Sequence, residues 1–278
     1  MNNMTKVRKF PSVGDMLVML LLFCVSQFII SSLLTVFGVV APTTSAIDAV
    51  DIETYMNEQL ALGRYTALAY PLLMFFSIAV LWLYVCLRGG KRAITIRHSA
   101  SGVNPTVVLV GVLWLFSSQI ILEPLVSLLP ENPGQGLGRG AWACFTAVAT
   151  AAVAEELLCR GLLFETLNKR WGVKSSIFFS SLFFGLIHFD PATAIIAMVA
   201  GVIFGVLYVR TSSLYTTIII HAINNAFAFA LISFGVGDVS FREVVGGGML
   251  YYILYGVAVA IFVGCSIEAY FKVFKMQN

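Results

Sequence analysis

Charge is what this chain has least of. Lys, Arg, Asp and Glu make up 11% of its 278 residues against 59% hydrophobic ones, and its mean hydropathy is +0.91. A soluble domain carries about 25% charged and about 45–50% apolar residues. A water-soluble globule is thereby excluded, and a polytopic, all-α membrane protein is implied. Cysteine is sparse too. Cys24, Cys86, Cys144, Cys159 and Cys265 are scattered, none at metal-ligand spacing from another, and all fall in or at the ends of apolar runs. They read as small hydrophobes and not as a disulfide set. Also missing are a tandem repeat, a low-complexity tract, a second soluble domain, a phosphate-binding glycine loop and a basic patch for nucleic acid. Residues 1–278 thus read as a single transmembrane domain whose surroundings are the lipid bilayer, with no nucleic-acid partner. Oligomeric state leaves no mark in the sequence.

What is present is a series of apolar runs. The first, 13–41, follows Lys6, Arg8 and Lys9 and is too long for a signal-peptide core, so it reads as an uncleaved span. Seven more follow, at 66–87, 106–128, 141–167, 175–189, 192–209, 214–234 and 249–271. Most reach the roughly 20 residues needed to cross a hydrocarbon core of about 30 Å. The fifth and sixth are short, and Asp190-Pro191 between them supplies an N-cap residue followed by the proline favoured at the first helical position. The connection 42–64 is expected to hold a short acidic surface helix. Gly201 and Gly205 form a small-xxx-small pair suited to close helix packing, and Gly246-Gly247-Gly248 reads as a flexible lead into the last span.

Basic residues cluster in alternate connections. One set holds Lys6, Arg8, Lys9, Arg88, Lys91, Arg92, Arg97, Lys169, Arg170, Lys174, Arg210, Lys272 and Lys275, with Arg160 inside a span. The other holds only Arg64, Arg139 and Arg242, together with Asp48, Asp51, Glu53, Glu58, Glu131, Asp190, Asp238 and Glu243. By the positive-inside rule this predicts about eight transmembrane helices with both termini cytoplasmic.

Against this apolar background, Glu155, Glu156 and Arg160 stand inside the run 141–167. Charge at bilayer depth costs about 2.5–3.5 kcal/mol per residue on insertion scales and usually faces a bundle interior or a water-filled cavity. Four residues apart on a helix, Glu156 and Arg160 share a face and can pair, whereas Glu155 points about 100° away. One carboxylate is tied and the other free; the plainer reading is a structural ion-pair network. Only three histidines exist, and two lie in predicted spans. His188 follows Phe184 by four residues and His221 precedes Asn225 by four, so each pair shares a helix face. A lone buried histidine is more often a satisfied core residue, but two of them beside a glutamate pair shift the balance. Counting from the flanking basic residues at 1.5 Å per residue, Glu155, His188 and His221 lie about 21, 21 and 16 Å from the cytoplasmic ends, in one layer near mid-membrane. Such a layer suits water activation. A desolvated glutamate can act as general base near neutral pH, and histidine and asparagine donors can hold the oxyanion formed when water adds to a carbonyl.

Taken together, these motifs resemble the CAAX prenyl protease and bacteriocin-processing (CPBP, Abi) family of intramembrane glutamate proteases. The family pattern is E-E-x-x-x-R, then F-x-x-x-H, then H-x-x-x-N or H-x-x-x-D on successive membrane helices. Glu155-Glu156 with Arg160, Phe184 with His188, and His221 with Asn225 match it in order and spacing over roughly 140–235. The resemblance implies an all-helical fold of about eight spans, a catalytic core at 141–235, and a peptidase. It assigns water activation to Glu155, assistance to His188, and oxyanion binding to His221 and Asn225, with Glu156, Arg160 and Phe184 in support. The short loops and lack of targeting extensions look bacterial, which favours the inner (cytoplasmic) membrane and disfavours a prenylated substrate.

The expected function is an intramembrane endopeptidase acting on a peptide or membrane-protein substrate. Its rivals are a non-catalytic immunity or scaffold protein and a proton-coupled transporter. No cofactor is expected. Glu155, His188 and His221 are a set zinc accepts, but the helical H-E-x-x-H arrangement is absent and the three sit on separate spans. Nor is a second carboxylate evident to orient each imidazole.

Overall fold

The structure, a computed structural model, describes residues 10–45, 50–89, 95–129, 136–236 and 239–275. Among them there is no strand, only an isolated bridge between His98 and Ser213. The helices are α1 (Val13–Val36), α2 (Ile52–Gly89), α3 (Pro105–Val126), α4 (Gly140–Leu186), α5 (Pro191–Thr211), α6 (Leu214–Ser233), the short α7 (Phe241–Val244) and α8 (Gly248–Tyr270). Among the described residues, seven of these are long and apolar enough to cross a membrane, all but α7. The protein is an all-α, multi-pass membrane protein.

The fourth of the seven resolves the difference between seven helices and eight predicted spans. Gly140–Leu186 is 47 residues long, which as one straight helix would measure about 70 Å, more than twice a hydrocarbon core. It is not straight. Gly172 has φ 73° and ψ 174°, a conformation essentially confined to glycine. The Arg160 guanidinium then lies 4.9 Å from the centroid of the Phe184 ring, although 24 residues along one helix would separate them by about 36 Å. The chain therefore doubles back at Gly172, and the predicted fourth and fifth spans are the two arms of this hairpin.

The connection 42–64 departs from expectation. Its acidic helix is not separate: α2 runs unbroken for 38 residues, about 57 Å. Asp51 accepts from the Thr54 backbone N–H at 2.9 Å, and this bond holds its carboxyl below the usual range. Gly63 does not break the helix because it serves packing: a Cβ there would lie 2.5 Å from the Arg139 carbonyl oxygen. At the other end of α2, Tyr84 and Arg88 bond Asp15 at 2.7 and 3.0 Å. Asp15 in turn closes a capping box with Ser12 at the start of α1, which sets α1 antiparallel to α2.

The centre of the bundle is α4 and α5. About half the residues of their apolar windows are buried, against 11–28% elsewhere. The Gly201–Gly205 pair explains the close approach: a Cβ at Gly201 would sit 2.9 Å from Ser181 Cα, and one at Gly205 would sit 3.2 Å from Ile177. Asp190 caps α5 through the Thr193 N–H at 2.8 Å, ahead of Pro191. The remaining helices turn many of their large apolar side chains outward, Phe28 and Leu17 of α1 among them, as a lipid-facing surface requires. Gly246, Gly247 and Gly248 all have positive φ and turn the chain from α7 into α8. Lys6, Arg8, Lys9, Lys91, Arg92, Asp48, Glu131 and Asp238, on which the charge pattern partly rests, lie outside the described residues.

Candidate active site

The site is built on an irregular stretch of α4. Wide π turns at Thr146–Ala151 and Leu157–Phe164 bracket the α-helical Ala152–Glu156. Such turns are rare and recur at functional sites. Small residues here let neighbours approach, and Ala147, Ala151, Ala152 and Ala154 are all buried.

Glu156 and Arg160 are both fully buried and paired at 2.7 Å. The guanidinium also donates to the Gly201 carbonyl of α5 at 2.9 Å. It also lies against both Phe184 and Phe204, whose centroids are 4.9 and 5.1 Å away. Arg160 thus joins both arms of α4 to α5.

His221 of α6 enters the same box. Its ring stacks on Phe204 at 5.1 Å and meets Phe184 edge-on at 5.8 Å. Its Nδ1 lies 3.2 Å from Glu156 Oε1, and only a proton on Nδ1 makes that contact a hydrogen bond, because a carboxylate accepts. Its Nε2 lies 3.6 Å from Glu155 Oε2, beyond hydrogen-bond reach. The two adjacent glutamates thus address the two nitrogens of one imidazole. Glu156 has a second partner besides Arg160, which the i, i+4 spacing alone did not reveal.

Glu155 is not free either. The Tyr70 hydroxyl of α2 donates to its Oε1. Tyr70 carries no motif, and nothing in its sequence neighbourhood marks it out. Asn225 donates through Nδ2 to the Ala147 carbonyl at 2.9 Å, within the first wide turn. Behind it runs an amide chain: Asn224 donates to Asn225 Oδ1 at 3.3 Å, and Gln119 of α3 donates to Asn224 Oδ1 at 2.6 Å.

His188 stands apart from the glutamates. Its Nδ1 contacts the Phe184 carbonyl at 2.7 Å, and its ring meets the Phe184 ring at 5.1 Å. Phe184 therefore has His188 and His221 as neighbours, and the aromatic ring connects the two where no hydrogen bond does. Nearby Asp190 is held below the usual carboxylate range, chiefly by the Thr193 backbone N–H. Among the described residues, no three His, Cys, Asp or Glu side chains converge as metal ligands.

Residues 138–227 match the family model described as Type II CAAX prenyl endopeptidase Rce1-like. All seven motif residues fall within the match and Tyr70 falls outside it. Neither a curated protein nor a solved structure matches the chain. The match covers about a third of the chain, the part with the buried glutamate pair, and there this multi-pass membrane protein is similar to the Rce1-like type II CAAX prenyl endopeptidases, a family of membrane proteases.

Proposed function

We propose that this protein is an intramembrane endopeptidase that hydrolyses a peptide bond with water activated by Glu155. The observation that carries the reading is the bracketing of His221 by two adjacent glutamates inside the matched segment. Glu155 Oε2 takes a proton from water while the resulting hydroxide adds to the scissile carbonyl carbon. Negative charge then develops on the carbonyl oxygen. In the imidazolium form, with Nδ1–H donating to Glu156, His221 presents Nε2–H to that oxygen, and the second N–H of the Asn225 amide is its natural companion. Glu155 returns its proton to the leaving amine as the C–N bond breaks, so the water is consumed and the base is regenerated. His188, beside Phe184, assists from the substrate side, and Glu156, Arg160 and Phe184 hold the frame.

In this reading 141–235 is the catalytic core, both termini are cytoplasmic, and the membrane is the inner (cytoplasmic) one. The substrate is a peptide or membrane protein, and no metal is required. The test compares the protein termini of membranes containing the wild type with those containing Glu155→Ala. New termini that depend on Glu155 support a peptidase. Identical termini, together with ion flux through reconstituted protein, would replace the reading with a transporter.

A further inference from the structure

Tyr70 belongs to no motif, lies outside the matched segment, and yet makes the hydrogen bond to Glu155 Oε1. It sits on α2, 85 residues from its partner, and half-buried against the central core. Pro71 follows it, so the helix lacks one backbone N–H at the turn that carries the hydroxyl.

We propose that Tyr70 is a positioning residue of the reaction: its hydroxyl occupies Glu155 Oε1 and so turns Oε2 toward His221 and the attacking water. This rests on the peptidase reading and adds to it the group that sets the base. The reasoning is geometric. A carboxylate has two equivalent oxygens and rotates about its last bond; a donor fixed on one of them selects the other for chemistry. Here Oε2 is the oxygen that lies 3.6 Å from His221 Nε2. The groups facing Glu155 are Tyr70 from α2 and His221 from α6, with Cys159 on its own helix. Of these, Tyr70 alone donates to Glu155 within hydrogen-bond distance among the described residues.

The test needs no substrate and so stands apart from the proteomic comparison. The full chain in liposomes is examined by infrared spectroscopy at one fixed pH, following the carboxylate stretching band that Glu155→Gln removes. In Tyr70→Phe, which keeps the ring and its packing, that band is expected to shift, because one carboxylate oxygen loses its donor. On any peptide found to be cleaved, kcat is expected to fall about tenfold, the equivalent of one hydrogen bond to a charged group, with KM little changed. Tyr84→Phe serves as the control: the same helix, also a hydroxyl on a buried carboxylate, but bonded to Asp15. It should leave band and kcat in place. An unmoved band in Tyr70→Phe, or an equal shift in Tyr84→Phe, overturns the proposal. If the band shifts and no peptide is ever cleaved, the positioning contact stands and the peptidase reading falls.

Discussion

Arg160→Ala is the substitution whose cost follows most directly from the structure. The guanidinium is fully buried and bonds Glu156 Oε1 at 2.7 Å and the Gly201 carbonyl at 2.9 Å. Its removal leaves Glu156 buried with only His221 for a partner, and breaking such a pair costs about 3–5 kcal/mol. The place that the guanidinium fills against Phe184 and Phe204 empties at the same time, which adds lost packing to lost charge. Relative to a total stability of about 5–15 kcal/mol, the change moves the folding equilibrium by roughly two to four orders of magnitude. Unfolding in mixed micelles, read by tryptophan fluorescence, measures it. Two further variants separate charge from volume. Arg160→Lys keeps the charge but cannot span Glu156 and Gly201 with one planar fork, so it should fall between wild type and alanine. Arg160→Met combined with Glu156→Gln removes both charges while leaving His221 an acceptor, and should be more stable than Arg160→Ala alone. An Arg160→Ala protein within about 1 kcal/mol of wild type, or a double variant worse than the single one, would refute the buried-pair argument.

Three other outcomes are expected. Gly172→Ala should destabilise by about 1–3 kcal/mol through backbone strain alone, because φ is 73° and a Cβ there would meet nothing within 4 Å; equal stability in the same unfolding assay would mean that the hairpin turns elsewhere. In a background cleared of the five native cysteines, Ser45→Cys should react with a membrane-impermeant reagent from outside the cell, and a cysteine appended after Asn278 only from inside; a tail labelled from outside would reverse the topology. Dialysis against a chelator should leave cleavage and unfolding midpoint unchanged, and elemental analysis should find less than one zinc per chain; activity lost on chelation and restored by zinc alone would make this a metalloprotease.

Properties that depend only on local chain order were legible in the sequence. Apolar runs mark membrane helices because the bilayer imposes one length and one polarity on all of them. The Asp190-Pro191 break was legible because capping involves residues a few positions apart. The Glu156–Arg160 pair was legible because helix geometry alone puts residues four apart on one face. Even so, the boundary of α2 was misread: the acidic segment 42–64 reads as a connection between apolar runs, whereas the helix already runs from Ile52. Helix packing decided the rest. Which nitrogen of His221 faces which glutamate depends on how α6 is rotated against α4, and no spacing within either helix contains that angle. The hairpin at Gly172 was read as two spans from the break between the apolar runs 141–167 and 175–189, but that it brings Phe184 back over Arg160 is a consequence of its sharpness. Tyr70 had no signature at all, because a tyrosine in a membrane helix is ordinary until the helix beside it places a carboxylate within reach of its hydroxyl.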